Sequence, residues 1–190
     1  MPMTTGATER THPRERLLDT AGRLFYTQGI QAVGVDQLVR EAGVTRATFY
    51  RHFSSKDGLV VAYLEARGGR VEEVVEAILA AHRGRDALLA IMDMIGDNLC
   101  RPGFRGCGFL NAAAEYPDPT HPVRVRIAEH RRWFHDVLRT VVRDAGHPDP
   151  ERVARTLVVL RDGAMVGGHL DDPRAIRATL YEAAERLLTS

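Results

Sequence analysis

The residues best equipped for chemistry cluster between Thr45 and Lys56: Thr45, Arg46, Ala47, Thr48, Tyr50, Arg51, His52 and Lys56. They are cations, hydroxyls and one methyl, with no paired carboxylates and no nucleophile beside a base. Such a set suits a polyanion. An arginine fork matches guanine O6/N7, and an alanine methyl can meet a thymine methyl. Arg46, Ala47 and Thr48 are the candidates for base edges. Thr45, Tyr50, Arg51, His52 and Lys56 are the candidates for phosphates, which position a protein without reading sequence. Catalytic signatures are missing: the chain has no GxSxG, HExxH, GxxxxGK[ST] or GxGxxG, the motifs that place nucleophiles, zinc or phosphates.

What must position those side chains is the stretch Val35 to Phe53, VDQLVREAGVTRATFYRHF. Val35, Leu38, Val39 and Ala42 recur at i, i+3, i+4, i+7 and give one apolar helix face. Gly43 stands where a helix ends in a left-handed residue. Thr45 is a good N-cap for a second helix, which buries Phe49 and Phe53 and turns its polar residues outward. This is a helix-turn-helix layout, in which the second helix enters the major groove by its N-terminal end. An ordinary helical hairpin is the alternative.

Thr45 to Phe53, TRATFYRHF, followed by SSKDGL (Ser54–Leu59), resembles the recognition helix and next helix start of TetR-type regulators. LLDTAGRLFYTQGI (Leu17–Ile30) is similar to that family's first helix, with Phe25, Tyr26 and Gly29. The resemblance covers about residues 14–64. It implies a transcriptional regulator, usually a repressor, that binds a palindromic operator as a homodimer and leaves it on binding a small-molecule effector. One departure stands out. The family usually places Ser or Thr at the start of helix two, where this chain has Val33 and Gly34. A side-chain phosphate contact is then missing, though Gly34 can still cap through its backbone.

The chain has 190 residues, 44% of them hydrophobic and 27% charged, as in soluble globular proteins. No apolar run approaches the roughly 18 residues a membrane span needs. The first residues lack the apolar core of a secretory signal. A cytoplasmic location is the expectation. Net charge is +1, but Arg10 to Lys56 holds eight Lys/Arg against four Asp/Glu, a net +4, leaving −3 for the rest. A basic end on a slightly acidic body is the electrostatic footprint of a small DNA-binding domain attached to something else.

Every segment reads as helix, so the fold class is all-α with about nine helices. The expected division is an N-terminal arm and helix-turn-helix domain, 1–54, and a helical ligand-binding and dimerisation domain, 55–190. Residues 1–12 read as a flexible arm in which Arg10, like Arg14, could reach DNA. Helix four starts at Ser55 and runs to about His82, with Gly68 and Gly69 mid-helix marking either a hinge or a close approach. Pro102–Gly103 and PDPTHP (117–122) are breaks. Asp149–Pro150 and Asp172–Pro173 are helix starts, an N-cap followed by proline at the first helical position.

In the larger domain, Asn111 and Glu115 share a face at i, i+4. If that face points inward, an amide and a carboxylate converge on a cavity. Trp133, Phe134, Phe104, Phe109, Met92, Met94 and Met165 are candidate lining, core packing being the alternative. This predicts a mostly apolar effector bound by Met92, Phe104, Cys107, Asn111, Glu115, Trp133, Phe134 and Met165. Cys107 is either a small buried hydrophobe or a redox-sensing thiol, which would need exposure and a lowered pKa. His130 and His135, at i, i+5, read as polar or pocket histidines. No metal site and no cofactor are expected. GAMVGGHL (Gly163–Leu170) and the stripe Ile176, Leu180, Ala183, Ala184, Leu187 resemble the family's dimerisation pair, helices eight and nine, about 150–188. A redox-sensing regulator acting through Cys107 and a helical enzyme are the rival readings.

Overall fold

The computed structural model describes residues 12–189, so the arm proposed for residues 1–12, with Arg10, lies outside the described residues except for His12. All regular structure among the described residues is helical: α1 (Pro13–Gln28), α2 (Val35–Ala42), α3 (Arg46–His52), α4 (Lys56–Ala81), α5 (Gly84–Leu99), α6 (Gly108–Glu115), α7 (Pro122–Asp144), α8 (Pro150–Leu170) and α9 (Pro173–Thr189). The starts follow the capping chemistry. The Asp149 side chain accepts from the Arg152 N–H ahead of Pro150, Asp172 accepts from the Arg174 N–H at 3.0 Å, and Ser55 accepts from the Gly58 N–H at 3.0 Å. Each satisfies an N–H that the helix leaves unpaired.

Two compact units divide between Tyr63 and Leu64, inside α4, nine residues past the boundary expected at residue 54. The first turns of α4 belong to the first unit because Leu59, Val60 and Tyr63 are buried. The Tyr63 ring meets Phe25 edge-on at 5.8 Å and lies beside Gly22.

In the first unit α1, α2 and α3 contact one another around Leu17, Leu24, Leu38 and Phe49, all fully buried. In the second, α5 lies against α7, α8 and α9, and Leu88, Ile91, Met92, Ile95 and Leu99 carry its buried face. Helices α5 and α9 come close at Gly96, where a β-carbon would meet the Arg177 side chain at 2.5 Å. Arg177 in turn pairs with Asp93 and Asp97.

The mid-helix glycines of α4 separate into two cases. A β-carbon on Gly68 would lie 3.0 Å from Arg126 Nη2 and 3.4 Å from His130 Nδ1, whereas one on Gly69 would meet nothing within 4 Å. Gly68 is therefore a packing glycine against α7. Along the second half of α4, Val75 is buried but Val74 is 46% exposed.

Candidate functional site

The turn between α2 and α3 is fixed from both sides. Gly43 adopts φ +63, and its N–H and that of Val44 return to the α2 carbonyls of Arg40 and Val39. Arg16 of α1 then covers the end of α2, its Nε donating to the Ala42 carbonyl at 3.0 Å and its Nη2 to the Gly43 carbonyl at 3.1 Å. A cation at a helix C-terminus also complements the helix dipole. Sequence reasoning missed this role because the partners are 26 and 27 residues away. At the entry to α2, Val33 is buried and Gly34 caps by its carbonyl alone, accepting from the Leu38 N–H at 3.1 Å. No side-chain cap is present there.

Thr45 caps α3, its hydroxyl accepting from the Thr48 N–H at 3.1 Å and lying 2.9 Å from the Thr48 hydroxyl. Thr48 is thus held in place, half-buried, while Arg46, Ala47, Tyr50 and Arg51 are exposed. Arg46 Nε lies 3.0 Å from Asp36 Oδ1, both side chains mostly in solvent. Tyr50 stands edge-on to Phe49 at 5.1 Å. The His52 and His12 rings meet edge-on at 5.3 Å. Partial burial and the charges of His12, Arg51 and Arg14 hold His52 below the usual imidazole value. Arg14 lies over the Phe53 ring at 5.5 Å, and Lys56 is the first residue of α4.

The second unit has a cavity between α6, α7 and α8, lined by Phe109, Leu110, Ile127, His130, Phe134 and Val158, with Arg131, Arg161 and Asp162 at its polar side. The His130 ring stacks on Phe109 at 3.9 Å with 9° between planes, and Trp133 lies on from it at 5.2 Å. Arg161 donates from Nη1 to Asp162 Oδ1 at 3.0 Å and from Nη2 to Cys107 Sγ at 3.2 Å. Burial opposes the Arg161 charge, but Cys107 and Asp162 outweigh it, so the guanidinium is raised above its ordinary value. Burial first, then Arg161 and Arg126, push His130 down to about 4.

Of the eight residues expected to bind an effector, only Phe134 lines this cavity. Met92 and Met165 are buried in the helical core. Phe104 sits in the loop before α6, where its carbonyl faces His169 Nδ1 at 3.2 Å. Trp133 touches the cavity through His130. Cys107 is buried under Arg161, while Cys100 is exposed. The convergence of Asn111 and Glu115 on a cavity is not observed: Asn111 is exposed and its Nδ2 donates to the Arg105 carbonyl at 3.0 Å, closing the loop onto α6, and Glu115 is half-buried. No group of three or more metal-ligating side chains occurs among the described residues. No helix of the structure is long and apolar enough to cross a membrane.

A capped recognition helix packed on two others, and a helical body carrying its own cavity, define a helix-turn-helix regulator. Residues 17–63 match the family model of bacterial regulatory proteins, tetR family, and residues 84–183 match the tetracyclin repressor-like C-terminal domain. The fold is similar to the crystal structure of SCO4454, a TetR-family transcriptional regulator from Streptomyces coelicolor, at 44% identity and TM-score 0.90 over 93% of this chain and 94% of that one. It is similar to sav143 of Streptomyces avermitilis at 28% identity and TM-score 0.78, over 92% and 98% of the two chains. The transcriptional repressor NemR of Escherichia coli is 30% identical over 58% of this chain and 57% of its own length. The chain belongs to the TetR family and is a DNA-binding transcriptional regulator.

Proposed function

We propose that the protein is a homodimeric repressor that binds a palindromic operator through α3 and leaves it when a small molecule occupies the second unit. The observation that carries this is the outer surface of α3: a capped helix, seven residues long, that sends Arg46 and Ala47 into solvent from its N-terminal end and Tyr50 and Arg51 from its later turn. Arg46, Ala47 and Thr48 meet base edges. Thr45, Tyr50, Arg51, His52 and Lys56 meet phosphates, which supply most of the affinity and its salt dependence. Relatives bearing the names repressor and activator both occur, and the effector-released repressor is the reading taken here.

Pairing of two chains follows from operator symmetry, since twofold half-sites need two recognition helices in fixed relation. The outward stripe of α8, Val159, Gly163, Val166 and Leu170, is exposed along its length. It recurs at i, i+4, i+7, i+11, one continuous helix face. We assign this face and the outer face of α9 to the dimer. Helix α4 runs unbroken from the first unit into the second and is the element whose two arrangements operator and effector would bias in opposite directions. The division of labour proposed is an arm and helix-turn-helix domain, 1–54, that reads DNA, and a helical domain, 55–190, that binds the effector and pairs the chains.

The decisive experiment is a gel shift with DNA from upstream of the protein's own gene, across a salt series. Tight binding to one site with a steep salt slope is expected. A chain that binds that DNA no better than random sequence is not this repressor. A redox-sensing form of the same regulator has one observation in its favour, the Arg161–Cys107 contact, and would show as loss of operator binding on oxidation that a Cys107→Ser variant abolishes.

A further inference from the structure

The cavity between α6, α7 and α8 has an uneven charge. Asp162 is shared by two guanidiniums, Arg161 at 3.0 Å and Arg131 at 2.6 Å, so its polar side carries two positive charges against one negative. Only 16% of the Arg161 side chain is exposed. Its Nη2 is spent on the Cys107 sulfur, a weak acceptor. A carboxylate would give that arm a charge-assisted bond in place of the sulfur contact. The remaining charges nearby are already balanced: Arg126 has Glu72 at 3.8 Å and Glu129 at 3.6 Å. The rest of the lining is apolar or aromatic, with Phe134 beneath the Arg161 guanidinium at 5.7 Å.

We propose that this cavity binds a small carboxylic acid with an aromatic or alkyl body, its carboxylate held by Arg161 with Arg131 and its body lying among Phe109, Leu110, Phe134 and Val158. The inference rests on the effector-controlled reading above and names the chemical class of the effector. His130, held neutral by burial and by the two arginines, lines the cavity without adding a cation and stacks on whatever ring or chain enters. The free space within is about 30 Å³, close to one water molecule's share of liquid water. Entry of an acid therefore separates the Phe109–His130 stack, and the α7 face that moves is the one against Gly68 of α4. Binding and displacement of α4 are in this way the same event.

The test uses benzoate, phenylacetate, 4-phenylbutyrate and octanoate, each beside its primary amide, on the full chain. Binding is read by fluorescence of the single tryptophan, Trp133, which stacks toward His130, and by thermal shift. At least one acid is expected to bind ten times more tightly than its amide. Arg161→Gln should weaken that acid at least tenfold, and Arg161→Lys should restore part of the loss. The acid–amide contrast is read on the unaltered chain, so it stands even where Arg161→Gln fails to fold. Acids and amides binding alike, or no acid binding at millimolar concentration, overturns the inference. Operator binding is followed in parallel. A chain that binds its operator but no acid loses this inference alone, whereas one that binds an acid but no operator loses the repressor reading and keeps the ligand class.

Discussion

Arg46 of the recognition helix lies 3.0 Å from Asp36 of α2, with both side chains largely in solvent. An exposed pair of this kind is worth roughly 0–1 kcal/mol, so a base edge can take Arg46 from Asp36 at little cost. Asp36 then acts as a holder in the free protein and as a competitor in the complex. Asp36→Asn should leave thermal stability nearly unchanged and tighten operator binding a few-fold at low salt. Arg46→Ala should cost about 1–3 kcal/mol and relax preference at one base position. Fluorescence anisotropy on operator variants reads both, and an unchanged base preference in Arg46→Ala would remove this residue from the base-reading set.

Arg51 should behave differently. It is exposed at the far end of α3, and a phosphate contact is the role proposed for it. Arg51→Ala should weaken binding by a similar factor on specific and random DNA and lower the salt slope by about 1. A sequence-dependent loss would place Arg51 in the groove.

The helix-turn-helix and its neighbours were readable from sequence because their signals are local. Gly43, Thr45, Asp149–Pro150 and Asp172–Pro173 each act within four residues, and the helices start or stop beside them. The cavity was not readable. Phe109 meets His130, and Arg161 meets Cys107 54 residues away, and no periodicity tells a helix which neighbour its inner face will meet. Arg161–Asp162 offered a trace, a charged pair between Val158 and Ala164, both buried. Asn111 shows the converse: its i, i+4 relation to Glu115 is real, but the loop carbonyl of Arg105 claims its amide.

The glycines of α8 define the test of assembly. A β-carbon on Gly167 would meet Ile176 of α9 at 3.0 Å, and one on Gly168 would meet Leu99 of α5 at 3.0 Å. Both serve packing within one chain. Gly163, on the outward stripe, has open space. Gly163→Glu should keep the fold, put a charge among Val159 and Val166, and shift sedimentation toward monomer. Gly167→Glu should instead lower the unfolding temperature. A Gly163→Glu chain that stays dimeric at low micromolar concentration places the interface elsewhere.

Stability should depend on pH through His130. Its imidazole is buried, and Nδ1 has no hydrogen-bond partner, Glu72 Oε1 being 3.8 Å away. Burial and the two arginines hold its pKa at about 4 in the folded chain, against about 6.5 unfolded. The unfolded state therefore binds the proton first. Stability is unaffected well above the unfolded value, falls as pH drops through the window from about 6.5 to about 4, and is fully lost in this respect below it. His130→Phe keeps a ring against Phe109 and removes the proton site. Its unfolding temperature should fall less than that of the unaltered chain between pH 7 and pH 5. Parallel curves would mean that another group sets the acid response.

The two mid-helix glycines of α4, Gly68 and Gly69, separate a hinge from a packing contact. Gly69 has open space around the position of a β-carbon and sits mid-helix, where glycine costs roughly 0.5–1 kcal/mol relative to alanine. Gly69→Ala should therefore raise stability by about that amount in urea unfolding. If α4 bends at Gly69 when the cavity fills, the same substitution should leave operator binding by the free protein intact and reduce the factor by which an arylalkanoate weakens it. By linkage, operator should weaken that acid's binding by the same reduced factor. Gly68→Ala carries the opposite expectation. Its methyl would press on Arg126 and His130, so it should change acid affinity directly while the Gly69 position stays free to bend. Equal release factors in Gly69→Ala and the unaltered chain would show that α4 moves as a rigid rod and that its glycine pair serves packing alone.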